Sequence, residues 1–524
     1  MKRTIRFTLL AIWLQGCAHV GFDFTPPHNA SPYSKPPSPE ARKELAAWWR
    51  RFHDPTLNTL IAHALRHNYD IKAAALRIMQ SRAALGIAQG YRYPQIQQLS
   101  GNAAAAYRSD RDIQSASLAF DTAWEADIWG MYARGVESAD AAYIASIASY
   151  HDIFSSVVAE TARQYVLYRT AQKRLLFAYR NAAIQARIVH MTQIRFASGN
   201  VSELDMQQAR VQLYSTRSAV FAIRQDMLHA RNALAVLLGV DPTQMKRLLH
   251  NPRIARTLEK HRRLAFSSNP SLPALAASVN QTFVPAIKLN TRRYLDAALL
   301  TRRPDLKAAE ALAHAAAAEV GIAQAELYPH VSLFGTLAFS PNNTFGSWIN
   351  GKEALQVSFG PSFRWNIFHY GRIKNTVRLK DARFEEMLAR YNQTVRKALS
   401  EVSDAAEGYR LTQLQLEQTR RMLKATDRAF QLSLTQYDNG LVSYQRLLTA
   451  VEQLTRAQDL YAQLQGLRAQ QAVYFFKAVG GGWQTSLKRP LLDKAAQDRM
   501  RARTDWGDLL NTGIPSPKKE HTRE

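Results

Sequence analysis

Cysteine is nearly missing from this chain. Cys17 is the only one in 524 residues, so no internal disulfide can form. Long apolar runs are missing too: none reaches the eighteen or so residues that a membrane-crossing helix needs. Acid is scarce beside base, with 42 Asp and Glu against 68 Lys and Arg and a formal charge of +26. Phosphate-binding glycine loops, a Gly-x-Ser-x-Gly elbow and cysteine clusters are all absent. His63 and His67 have the i, i+4 spacing of metal ligands on a helix, but no acidic partner shares their turn. They read as surface residues, and neither a catalytic residue nor a metal site is expected.

The one cysteine sits after a basic stretch (Lys2, Arg3, Arg6) and a short apolar core, Phe7 to Leu14. That core is too short to span a bilayer and reads as a signal peptide, residues 1–16. Leu14-Gln15-Gly16-Cys17 resembles the site where a bacterial signal is cut and the new N-terminal cysteine is acylated. Cys17 is thus expected to carry a covalent lipid anchor, the alternative being plain secretion with a lone thiol. Removing Lys2, Arg3 and Arg6 leaves a charge of +23. Such a balance suggests nucleic acid for a cytosolic chain, and an export signal argues against that partner. Residues 17–47 are rich in proline and polar residues and are expected to form an extended leader. Residues 484–524 read as a basic, largely disordered tail.

The chain is written twice. Residues 69–94 align with 304–329 at an offset of 235, repeating Gly-Ile-Ala-Gln and Tyr-Pro. Further on the offset is 241, pairing Tyr168-Arg169 with Tyr409-Arg410, Gly199 with Gly440 and Val201-Ser202 with Val442-Ser443. The expected domains are a first repeat at 48–240, an insert at 241–303 and a second repeat at 304–483. The insert and its flank are basic, with 13 Lys and Arg against 4 Asp and Glu over 241–307.

Each repeat is mostly helical. Residues 136–197 and 200–238 hold no glycine or proline, and 372–439 and 441–479 are each interrupted once. Helical patterns this long imply a coiled coil or a repeat array. Ser198-Gly199-Asn200 and Asp438-Asn439-Gly440 read as the turns of two helical hairpins. Four stretches have a period of two instead: 99–107, 117–129, 331–339 and 355–367. Strands with one apolar and one charged face suit a transmembrane barrel or a soluble sheet with one wet face. In lipid a sheet must close, since unpaired backbone there costs several kcal/mol per group. Four strands cannot close a barrel, so the membrane reading requires several copies.

This doubled plan resembles the TolC-like outer membrane efflux factors of the lipoprotein NodT/OprM type, over roughly residues 40–483. The matching motifs are "WWRRFHDPTLNTLIAHAL" (48–65), "LLTRRPDLKAAE" (299–310), "AELYPHVSL", "WEADIWG" and "FRWNIFHYG". The resemblance implies a mixed, mainly α fold and a homotrimer. Each chain would give four strands to a twelve-stranded barrel in the outer membrane of a Gram-negative bacterium, above a periplasmic helical tunnel. The implied function is passive: an exit duct docked through a periplasmic adaptor to an inner-membrane pump, of the resistance-nodulation-division type. A type I secretion exit and a soluble coiled-coil scaffold are the alternatives.

The resemblance also places the hairpin turns at the periplasmic tips. Gly199 and Gly440 would supply left-handed turn residues, and Ser202 and Ser443 would cap the outgoing helices. Val201, Leu204, Val442 and Tyr444 would offer apolar contact to the adaptor. Gln445 and Thr449 stand where the family often has leucine and aspartate, so a negative gate is not carried over to this chain. Asp205 and Arg446 occupy equivalent places and are expected to pair across a closed tip.

Overall fold

The computed structural model describes residues 20–27, 38–107, 112–270, 283–296, 298–343, 349 and 351–510. Cys17 and its expected anchor lie outside them. Helices come first: α1 (Pro39–Ala46), α2 (Pro55–His67) and α3 (Tyr69–Gly90). Strands β1 (Ile96–Tyr107) and β2 (Asp112–Ala126) lead into the long α4 (Met131–Ala197) and its return α5 (Glu203–Leu238). The insert holds α6 (Pro242–Leu248), α7 (Pro252–Ala265) and the single turn α8 (Leu299–Arg302). The second repeat then gives α9 (Pro304–Ala325), β3 (His330–Phe339), β4 (Leu355–Arg364), α10 (Arg372–Asp438) and α11 (Tyr444–Ala478). Helix α12 (Lys494–Arg501) follows.

Two compact units share these elements. The first takes in residues 20–27, 75–149 and 305–395, and is built around an antiparallel sheet in the order β1-β2-β3-β4. Its register sorts the side chains. Leu99, Phe120, Leu337 and Val357 lie in one row across the four strands, and Gly101, Leu118, Phe339 and Leu355 in the next. Trp124, Leu333, Phe359 and Phe363 share that face, because positions two apart point the same way. The opposite face is polar: Thr336 donates to Asp121 at 2.8 Å, and the His330 ring meets Glu125 at 2.6 Å. Phe359 is 85% exposed and Phe363 76%, so no described residue covers these rings on the apolar face. Among the described residues, β1 and β4 are both open edges.

Residues 20–27, part of the expected extended leader, carry no helix or strand and are bound to this unit. Val20 N donates to Trp129 O at 3.1 Å, and Phe22 and Phe24 pack on Phe384. The buried Arg134 guanidinium reaches Asp23 at 3.1 Å and Glu137 at 2.7 Å. Glu137 also contacts His314 at 2.8 Å. At 39–46 the expected extended leader instead forms α1. Ser38 caps it with Pro39 at the first turn, and Ala41 and Leu45 are buried. A short segment with few apolar residues folds when a finished surface receives them.

The second unit takes in 38–74, 150–304 and 396–510 among the described residues. The opening motif builds its aromatic core: Trp48 stacks on Phe476 at 5.2 Å between ring centres, and Tyr294 edges onto Phe475 and Phe476. Asp54 caps α2 through Leu57 N at 3.1 Å and accepts from Tyr165 OH at 2.7 Å. The disordered reading of 484–524 is corrected over 484–510. Buried Ser486 bonds the buried His151 ring at 2.8 Å, and Leu492, Met500 and Leu510 are buried as well. The His63 and His67 rings lie 4.5 Å apart, tilted by 40°, and burial with that neighbour holds the His63 pKa below its ordinary value.

The repeat is visible in single bonds. Asn68 Nδ2 donates to Leu237 O at 3.0 Å, and Arg303, its equivalent, donates to Ala478 O at 2.8 Å. Gly239 lies against His67 O, and Gly480 against Arg302 O. In the first unit, the Trp124 indole donates to Arg92 O and the equivalent Trp365 indole to Leu327 O.

Candidate docking and gating site at the hairpin turns

The two hairpin turns share one backbone solution. Asn200 N donates to Arg195 O at 2.8 Å and Gly199 N to Phe196 O at 2.9 Å. Leu441 N and Gly440 N repeat the pair on Gln436 O and Tyr437 O, at 2.8 and 3.0 Å. Each is a helix end closed by a left-handed glycine, with φ of 75° at Gly199 and 74° at Gly440.

The outgoing helices then differ. Ser202 and Asp205 form a reciprocal capping box: Asp205 N donates to Ser202 Oγ at 3.2 Å, and Ser202 N to Asp205 Oδ2 at 3.1 Å. Asp205 is thus engaged by its own turn, and among the described residues no ion pair joins it to Arg446. In the second turn Arg446 holds the equivalent place and cannot accept. Ser443 has N-cap backbone geometry, but its side chain makes no capping bond, which corrects that expectation.

Beneath the turns lies an apolar cluster contributed by α4, α10 and α11, with Ala209 from α5. Ile184, Ile188, Phe430, Leu434, Tyr437, Tyr444, Leu447 and Val451 are all buried in it. Tyr444 stands edge-on to Tyr437 at 6.2 Å, and burial pushes its hydroxyl pKa up. It is 4% exposed, so within this chain it is core rather than a contact offered outward. Val442 packs partly against the same cluster and Val201 is half-buried. The apolar groups that face outward at the turns include Leu204, 65% exposed, and Leu441, 73% exposed, with Ile194 and Phe196 exposed at the end of α4. Gln445, Arg446 and Thr449 are exposed on the first turns of α11, and Thr449 Oγ1 donates to Gln445 O at 3.0 Å.

Sequence reasoning missed Leu441 and Arg195. Arg195 donates to Asp438 O at 2.8 Å, and its guanidinium covers the Tyr437 ring at 4.4 Å. A cation is favoured at a helix C-terminus, so it clasps the end of α10 to α4. Its repeat equivalent is Gln436, and that departure from the repeat was the available signal. The turns therefore present exposed Leu204 and Leu441 beside polar turn backbone and charged first turns.

The family named Outer membrane efflux protein matches this chain at residues 60–240 and 296–481. The chain is 26% identical over 454 residues to the Pyoverdine export outer membrane protein OpmQ of Pseudomonas aeruginosa, covering 84% of this chain and 88% of that one. It is 26% identical over 444 residues to the Cation efflux system protein CusC of Escherichia coli O6:H1, covering 84% and 89%. Among solved structures, the outer-membrane channel OprN superposes with a TM-score of 0.73 at 28% identity, covering 89% of this chain and 99% of that one. The Campylobacter jejuni CmeC outer membrane channel shares the fold at a TM-score of 0.73 and 22% identity, covering 93% and 98%. By the length of these matches, this chain belongs to the outer membrane efflux protein family.

Proposed function

We propose that three copies of this chain form the outer membrane exit channel of a tripartite efflux pump. The observation that carries the reading is the bare four-stranded sheet, with one apolar face and two open edges. Lipid satisfies the face, and pairing β4 of one copy with β1 of the next satisfies the edges. Twelve strands then close a barrel whose polar face, with Asp121, Glu125 and His330, lines a wet interior. The first unit is the membrane part, and the hairpin tips of the second meet a periplasmic adaptor through Leu204 and Leu441. Cys17 carries acyl chains as a lipid anchor. An inner-membrane pump of the resistance-nodulation-division type supplies energy, and this chain performs no chemistry of its own. The cargo is whatever that pump delivers. The matched relatives are named for pyoverdine export and for cation efflux, a spread that suits a passive duct.

The test is assembly and conduction. Full-length protein extracted from outer membranes is expected to run as a trimer in native mass spectrometry and to give discrete conductance steps in a planar bilayer. A water-soluble monomer recovered from the periplasm would overturn the proposal.

A further inference from the structure

Beside the sheet's apolar face lies a cleft of about 420 Å³ lined by Pro329, Val331, Pro361, Ser362, Phe363 and Trp365. That volume is of ligand size. Val331 and Phe363 are register partners, and Leu333 pairs with Pro361. The cleft therefore belongs to the apolar face, at the end of the sheet where β3 starts and β4 finishes. The Trp365 indole hydrogen is already taken by Leu327 O at 3.1 Å, so the ring presents hydrocarbon. An in-plane partner strand on β4 would flank this cleft without filling it, because strands pair edge to edge.

The chain's own N-terminal segment leads to the same place. Val20 N is fixed on Trp129 O at 3.1 Å. The Trp129 ring stacks on Tyr328 at 4.6 Å, and its indole donates to Pro329 O at 2.9 Å. Pro329 is a wall of the cleft. Cys17 precedes Val20 by three residues, a reach of about 10 Å. We infer that this cleft seats an acyl chain carried by Cys17. The inference rests on the proposal that Cys17 is acylated. A free phospholipid offers the same hydrocarbon, but the acyl chain is tethered beside the cleft, and tethering gives it an effective concentration in the millimolar range. The anchor then does more than hold the protein at the membrane. It also holds the chain where Val20 meets Trp129, so that Phe22, Asp23 and Phe24 are delivered to Phe384 and Arg134.

The test uses cells fed a palmitate analogue carrying a diazirine and an alkyne. Full-length protein is irradiated in its membrane, and cross-links are mapped by mass spectrometry. The expected result is a cross-link from the Cys17-borne chain to residues 329–331 or 361–365 of the same polypeptide. Val331→Phe, which fills the cleft, is expected to cut that yield at least fivefold, while Val357→Phe, elsewhere on the same face, leaves it within twofold. An acylated protein whose cross-links all run to phospholipid would overturn the cleft assignment and leave the anchor standing. An N-terminal peptide without acyl mass would overturn the anchor and the cleft together.

Discussion

Gly466 of α11 lies directly against the Thr170 side chain of α4. A methyl group at 466 would overlap Thr170 Oγ1 and Cγ2. Thr170 is itself pinned, its hydroxyl donating to Val166 O at 2.7 Å. Gly466→Ala is therefore expected to destabilise the protein by roughly 1–3 kcal/mol, the usual cost of overpacking. Thr170→Ala in the same chain should recover much of the loss. Thermal unfolding of the two singles and the double gives the coupling. Additive losses would show that the pair is not the cause.

The two hairpin turns should respond differently to the same substitution. Ser202→Ala breaks a capping box and is expected to cost about 1 kcal/mol of local stability, read as faster amide exchange at residues 204–206. Ser443→Ala removes no capping bond and should change exchange in α11 little. Arg446→Asp puts an acceptor at the third position of α11 and should slow exchange there, by building the box that the first turn already has.

Lys173 is buried on α4 over the Phe177 and Phe283 rings, at 4.8 and 5.7 Å. Burial, with the Arg180 charge beside it, pushes its pKa down to about 8. The unfolded chain holds that proton up to about pH 10.4. Between those values the unfolded state binds more protons than the folded one, so stability rises with pH from about 8 towards 10.4. Lys173→Met should remove that rise and raise stability at pH 7 by about 1–3 kcal/mol. Unfolding midpoints at pH 7 and 9 check both.

The two faces of the sheet make opposite demands. Phe359→Arg puts a charge on the apolar face and should cost up to ~2–4 kcal/mol in a bilayer, read as loss of trimer from outer membranes. Ser358→Arg, one residue away on the polar face, should leave assembly intact. Equal tolerance of both would point to a sheet in water.

The duplicated plan, the two hairpins and the four strands were legible because the repeat made each weak signal count twice. Strand β1, with four consecutive alanines, was readable only through its partner in the second repeat. Other features were hidden for physical reasons. Helix α1 and residues 484–510 carry too few apolar groups to fold alone, and their order comes from surfaces elsewhere in the second unit. Tyr444 looked like an outward contact because its place in the turn is exposed in principle, yet its ring completes the cluster with Tyr437. Ser443 looked like a cap because Ser202 is one, and the difference lies three residues on, in Asp205 against Arg446.

Docking at the tips is tested most directly by a photo-cross-linking amino acid placed at Leu204 or Leu441 in living cells, with the buried Tyr444 as reference. The expected result is capture of one periplasmic adaptor protein from both leucine positions and little from Tyr444. A trimeric, outer-membrane protein that captures no adaptor from either position would contradict docking through these turns.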